Sequence, residues 1–202
     1  MSALSKEDQE ACFKKRVLPI VGRVGEDMYE SVRSLIADYL LNNCPDITVI
    51  IESGGGDVGF GLDIYDLVEN YPGKTTGIVF SRAHSMAAVI LQGCDVRMCA
   101  RHGNVMIHHI SQNQVSLDVL EDSTGKKLKK LHQTMKNRQQ FIYDILTERT
   151  EKTLEVIRDA CVKEERLVAR DAKEFGLIDS ILTRDDMKKC FRLDMLASVE
   201  TN

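Results

Sequence analysis

Two serines, an arginine and a histidine crowd the start of SRAHSMAAVILQG (Ser81 to Gly93), after which the chain turns small and apolar. A serine that ends a strand and opens a helix can do one of two things. As an N-cap it satisfies a free amide of the first helical turn. As a nucleophile it exposes its hydroxyl, while the amide of the next residue is free to hold an oxyanion. Ser85, followed by Met86, fits both readings. A second oxyanion donor would be needed. SGGGD (Ser53 to Asp57) could supply it from Gly56, because a strand-to-helix turn of this kind aims free amides at anions. It could equally be a tight turn with no ligand. A nucleophilic serine also needs a base. His108 stands out among the five histidines because it ends Val105-Met106-Ile107, which as a rigid strand would carry it to the sheet edge. His109 must then face the other way. Alone, His108 reads as readily as a structural histidine. His84 is not the base proposed, and Ser81 reads as structural.

Other motifs lead nowhere. Gly54, Gly56 and Gly59 match G-x-G-x-x-G, but no acidic residue follows about 20 positions on; Lys74, Thr75 and Thr76 stand there. Gly73-Lys74-Thr75 imitates the end of a phosphate-binding loop, yet Val68 occupies the required glycine position, so ATP binding by this chain is not expected. The six cysteines form no C-x-x-C pair and read as reduced thiols. His108-His109 lacks a spaced third metal ligand, so no metal is expected. GKKLKKLHQTMK (Gly125 to Lys136) reads as a solvated helix face. With a net charge of -4 and no interleaved aromatics, nucleic acid is not an expected partner. The longest apolar runs fall well short of the ~20 residues that span a bilayer, and the N-terminus has no apolar signal core. A cytoplasmic location is the expectation.

The elements that must position these residues follow from periodicity. Arg16 to Val24 has strand character, with Pro19 pointing to an edge or a strand end and Gly22 to a turn. Glu26 to Asn43 carries apolar residues on one helical face. ITVII within Asp46 to Glu52 suits a strand buried on both faces, broken by SGGG. Helix over Asp57 to Asn70, strand over Thr75 to Phe80, helix from about Ser85 to Leu91, and strands over Asp95 to Ala100 and Asn104 to Ile110 come next. This alternation predicts βαβ crossovers and a mainly parallel sheet in an α/β fold. Val115 to Arg149 suits one or two long helices. Thr153 to Val162 reads as a helix with Val156 and Ile157 inward, Arg170 to Phe175 as a short helix closed by Gly176, and Leu177 to Leu182 as strand. The expected organisation is a polar arm at 1–15, one domain at 16–183 with a helical region at about 115–150, and a tail at 184–202.

Together, SGGGDVGFGLDIYD (Ser53 to Asp66), RAHSMAA (Arg82 to Ala88), VMIHH (Val105 to His109) and AKEFGLIDSI (Ala172 to Ile181) resemble, in order and spacing, the proteolytic subunit of the Clp protease family. That resemblance implies a crotonase-like α/β fold of repeated ββα/βαβ units with a projecting helical handle. It implies a serine endopeptidase acting on unfolded proteins or peptides. The family's serine and histidine fall on Ser85 and His108, and its oxyanion donors on the amides of Gly56 and Met86. Its acidic residue falls on Glu164, with Glu165 and Asp159 as alternatives. It also implies homo-oligomeric heptameric rings stacked in pairs, no cofactor in this chain, and ATP used by a partner AAA+ unfoldase. The chain departs from the family pattern at Gly54, Ala87, His109-Ile110 and SQNQVS (Ser111 to Ser116), the last in the region that pairs with peptide substrates. A crotonase-type acyl-CoA enzyme, or a catalytically silent ring subunit, stays open as an alternative.

Overall fold

A computed structural model describes residues 4–111 and 115–192, with side chains to residue 190. Residues 112–114 of SQNQVS and residues 193–202 of the expected tail lie outside the described residues. The core is a parallel sheet in the order β1-β2-β3-β4-β7, formed by β1 (Val17–Val24), β2 (Ile47–Gly56), β3 (Thr75–His84), β4 (Val96–Cys99) and β7 (Ser180–Ile181). β1 is the edge strand, where Pro19 removes no needed donor from a second neighbour. Two further strands, β5 (Asn104–Met106) and β6 (Leu167–Val168), pair with each other, and β5 also joins β3. The fold is α/β with a mostly parallel sheet.

The period-2 alternation of the strands sorts the apolar residues onto two faces. Leu18, Ile20, Val49, Ile51 and Val79 enter the main core, beneath α2 (Glu26–Leu41), α3 (Val58–Glu69) and α4 (Met86–Gln92). Val17, Ile50 and Ile78 face the other way and meet Leu182 and Cys190, the latter on α9 (Arg184–Arg192). The unbroken ITVII run therefore has burial on both sides as its cause. Before β1, α1 (Lys6–Lys15) is capped by Ser5 and buries Cys12, so most of the expected arm is helical.

Several expected boundaries move, for tertiary reasons. Gly22 is no turn: it sits inside β1 at a register shift, with φ 92°, the backbone of a β-bulge. SGGG does not break β2, which runs on to Gly56. β3 runs four residues beyond its apolar part because it has two successive neighbours. Thr76 to Val79 pair with β4, and Arg82 to His84 pair with β5. β5 in turn ends at Met106, so His108 and His109 lie on irregular backbone rather than on a rigid strand.

After α5 (Leu117–Leu120), α6 (Lys126–Thr150) is 25 residues long, about 37 Å at 1.5 Å per residue. Its buried side chains, Ile142, Tyr143, Leu146 and Thr150, all lie in the C-terminal part. The N-terminal part, with Lys126 to Lys136, projects as a handle. α7 (Leu154–Lys163) follows and buries Ile157, but Val156 is exposed. Successive helical residues point about 100° apart, and this short helix has room for one inward stripe. α8 (Ala169–Phe175) ends on Gly176 at φ 98°, as its glycine predicts.

Candidate active site

Ser85 follows His84, the last residue of β3, and precedes α4. Its backbone has φ 55° and ψ -126°, a left-handed value that a non-glycine residue adopts only when its surroundings impose it. Two neighbours do so. The Ser85 amide donates to Met106 O at 2.8 Å, and Gly55 of β2 packs directly beneath. A Cβ at Gly55 would stand 2.7 Å from Ser85 Cβ and 2.8 Å from His84 O, and Gly55 itself has φ 87°. Only glycine fits. Gly55→Ala should therefore push Ser85 out of place, cutting the rate at which its hydroxyl reacts with a fluorophosphonate by about 10²-fold, the usual cost of a misplacement near 1 Å, and lowering the melting temperature; paired labelling and melting assays check both.

The Ser85 side chain makes no capping bond to α4. Its hydroxyl lies 2.7 Å from His108 Nε2 instead. The two residues are 23 apart in sequence yet adjacent through strand register, since His84 pairs with Met106. One step past β3 gives Ser85, and two steps past β5 give His108. On the other side of the ring, His108 Nδ1 is 3.6 Å from Glu164 Oε1, longer than a hydrogen bond. Glu164 is the left-handed C-cap of α7, and its side chain is 59% exposed, against 23% for His108. Among the described residues it is the carboxylate within ion-pair reach of His108; Glu165 and Asp159 have no such contact.

A cavity of about 50 Å³ opens at the hydroxyl, bounded by Gly56, Ser85, Met86 and His108, with apolar walls from Val58, Val89, Ile107, Ile110, Ile142 and Leu146. The first amides of a helix have no intrahelical partner, so Met86 N–H is available at this mouth. Asp57 N donates to Val24 O across the β1–β2 ladder. Amides alternate in direction along a strand, so that of Gly56 points away from β1, toward α4. A chemistry that fits this arrangement is attack by an activated hydroxyl on a carbonyl, with two amides for the resulting oxyanion.

A sequence model of Clp protease matches residues 3–185. The chain belongs to the Clp protease family. It is also 30% identical over 178 residues to the ATP-dependent Clp protease proteolytic subunit of Chlorella vulgaris, covering 84% of this chain and 82% of that one. Family membership makes the chain a protease.

The other polar residues near Ser85 have structural partners. Ser81 gives both its amide and its hydroxyl to the Glu52 carboxylate. His84 donates from Nε2 to Asn104 Oδ1 at 2.5 Å, and Asn104 donates to Ser81 O, clamping β3 to β5 just ahead of Ser85. All six cysteines are free thiols, and burial pushes Cys94 and Cys99 up to about 12, away from nucleophilic thiolate at neutral pH. Among the described residues no cluster of His, Cys, Asp or Glu could hold a metal ion, and no helix is long and apolar enough to cross a membrane. Two contacts had no sequence signal: Gln139 Oε1 accepts from Ile110 N at 2.8 Å, and Tyr143 meets the His109 ring edge-on. Both pair residues distant in sequence, and Gln139 and Tyr143 stand on positions with no motif of their own.

Proposed function

We propose that the chain is a serine endopeptidase that cleaves unfolded polypeptides or peptides inside a self-compartmentalised oligomer. The observation that carries this reading is the Ser85 hydroxyl, turned away from its own helix and onto His108 Nε2 at the mouth of the cavity. His108 Nε2 takes the hydroxyl proton as Ser85 Oγ attacks the peptide carbonyl. The amides of Gly56 and Met86 hold the oxyanion, each worth on the order of 3 kcal/mol in the transition state. His108 then gives its proton to the leaving amine, and water attacks the acyl-serine by the reverse sequence of transfers. The apolar cavity walls suit an apolar side chain on the acyl side of the cut bond.

Glu164 orients the His108 ring. At 3.6 Å and largely exposed, it does so more weakly than a buried, hydrogen-bonded carboxylate. Glu164→Gln is expected to lower kcat/KM for a peptide substrate by roughly 10- to 100-fold, against the ~10⁴-fold typical of a tightly bonded triad aspartate. A loss approaching 10⁴-fold would mean that the pair closes to a direct bond in the working enzyme.

Assembly into stacked heptameric rings fits the exposed Leu117, Leu120, Leu128 and Phe141 on and beside the handle, which a second copy would cover. The Chlorella relative is described as ATP-dependent, and an AAA+ unfoldase is the partner proposed here, with ATP used by that partner. The test is cleavage of a fluorogenic peptide and of an unfolded protein by the purified chain, alone and with an AAA+ unfoldase and ATP, with particle mass measured in parallel. Ring-sized particles that cleave the peptide, and the protein only with the unfoldase, support the reading. Assembled particles with no hydrolysis at all would make the chain a silent ring subunit.

A further inference from the structure

β5 ends at Met106, and the backbone from Ile107 to Ser111 follows no ladder, so nothing in the sheet itself fixes the His108 ring. The segment is nevertheless pinned at two points. Upstream, Met106 O accepts the Ser85 amide at 2.8 Å. Downstream, Ile110 N donates to Gln139 Oε1 at 2.8 Å in a partly buried bond. His108 lies between the two pins. Gln139 sits one turn before Tyr143 on α6, the same helical face, and the Tyr143 ring stands edge-on to His109 with centroids 6.0 Å apart. Arg158 of α7 lies 5.3 Å over that same ring, and α7 carries Glu164 at its C-cap.

We propose that Gln139 is a positioning residue for His108, acting from α6 through the backbone of Ile110. This rests on the reading of Ser85 and His108 as nucleophile and base. Two observations define the role. Gln139 Nε2 is buried with no hydrogen-bond partner among the described residues, a burden on the fold rather than a support. Its oxygen, by contrast, satisfies an amide that the irregular segment could not otherwise pair. Freed of that bond, His108 keeps its chemistry but loses the fixed distance to Ser85 Oγ on which proton transfer depends. Ile110 also lines the cavity, so the same bond holds one wall of the substrate pocket.

The experiment compares the wild type with Gln139→Met and Gln139→Glu, measuring the second-order rate of Ser85 modification by a fluorophosphonate, kcat and KM on a fluorogenic peptide, and the melting temperature. Methionine keeps the volume and removes both the acceptor and the unpaired donor; glutamate keeps the acceptor. The expected result for Gln139→Met is a labelling rate and kcat lower by about 10-fold or more, with KM changed by less than about threefold and the melting temperature within about 2 °C of wild type. Gln139→Glu should recover most of the labelling rate. Wild-type labelling by Gln139→Met overturns the proposal while leaving the nucleophile in place. So does a loss that follows the melting temperature and is not rescued by glutamate. An unlabelled Ser85 in the assembled wild type instead removes the nucleophile reading, and this proposal with it.

Discussion

Replacing Ser85 by alanine is expected to lower kcat for peptide hydrolysis by on the order of 10⁶-fold, with little change in melting temperature. Alanine has the same Cβ as serine, so the φ of 55° and the fit above Gly55 are as costly, and as well supported, as before. The lost hydroxyl leaves His108 Nε2 without its partner, but that ring is partly exposed and water can take the place of the bond. What remains is the pair of amides from Gly56 and Met86, and with it a small residual rate over water. His108→Ala should cost about as much as Ser85→Ala. The double variant should be little worse than either, because residues that act as one unit do not add. An acyl-CoA enzyme on the same fold makes the opposite prediction, since it would use the two amides without the hydroxyl and keep its activity in Ser85→Ala.

Arg97→Ala is expected to produce the largest loss of stability. The Arg97 side chain is 7% exposed and sits on β4 where the C-terminal ends of three helices converge. It donates to Gln92 Oε1 at the end of α4 (2.5 Å), to Arg149 O in the last turn of α6 (3.2 Å) and to Gly176 O at the cap of α8 (2.9 Å). A cation is favoured beside helix C-termini, where carbonyls lack partners. The same guanidinium clasps Asp179, Nη2 to Oδ1 at 2.5 Å and Nε to Oδ2 at 3.2 Å, tying β4 to the residue just before β7. Removing it leaves several part-buried acceptors without partners, and leaves the Asp179 carboxylate with the backbone amide of residue 97, at 2.6 Å, but no cation. The expected cost is about 3–5 kcal/mol, or roughly 6–20 °C in melting temperature for a chain of this size.

Asp179 gives that cluster a pH dependence of known sign. Burial pushes its carboxyl up, but the hydrogen bonds and charge of Arg97 outweigh burial and hold it below the usual aspartate range. A depressed folded-state value contributes stability above the unfolded-state value of about 3.9 and loses it as the pH falls through the folded-state value. The Asp179 side chain is 40% exposed, so this contribution is small beside the loss of the arginine. Asp179→Asn should flatten the acid limb of a stability profile taken from pH 6 to pH 2. A slope as steep as that of the wild type would place the acid sensitivity elsewhere.

What the sequence reveals of this architecture is what local patterning controls. β2 is legible as ITVII because both faces of a central strand are buried, and α2 because its apolar residues fall on one side. Ser85 is legible because it stands where a β-rich run gives way to a helix. The polar end of β3 is not legible: Ser81, Arg82 and His84 have no strand signature, and Arg82 to His84 are extended because β5 pairs with them, Arg82 with Asn104 and His84 with Met106. Nor is the early end of β5, where Val105-Met106-Ile107 looks like unbroken strand but only three residues find a partner. Glu164 could be placed by alignment to the family pattern but not oriented, since its reach depends on the left-handed end of α7. Gln139 carries no signal at all, because an amide on a helix face becomes informative only when a distant backbone N–H is brought to it.

The most direct measurement of the central claim is reaction of the assembled protein with a fluorophosphonate, followed by mass mapping of the modified peptide, for the wild type and for His108→Ala. A single adduct on Ser85 in the wild type, slowed by several orders of magnitude in His108→Ala, is the predicted result. No adduct on Ser85 in folded, assembled wild-type protein, or an adduct formed as fast without His108, would contradict the account.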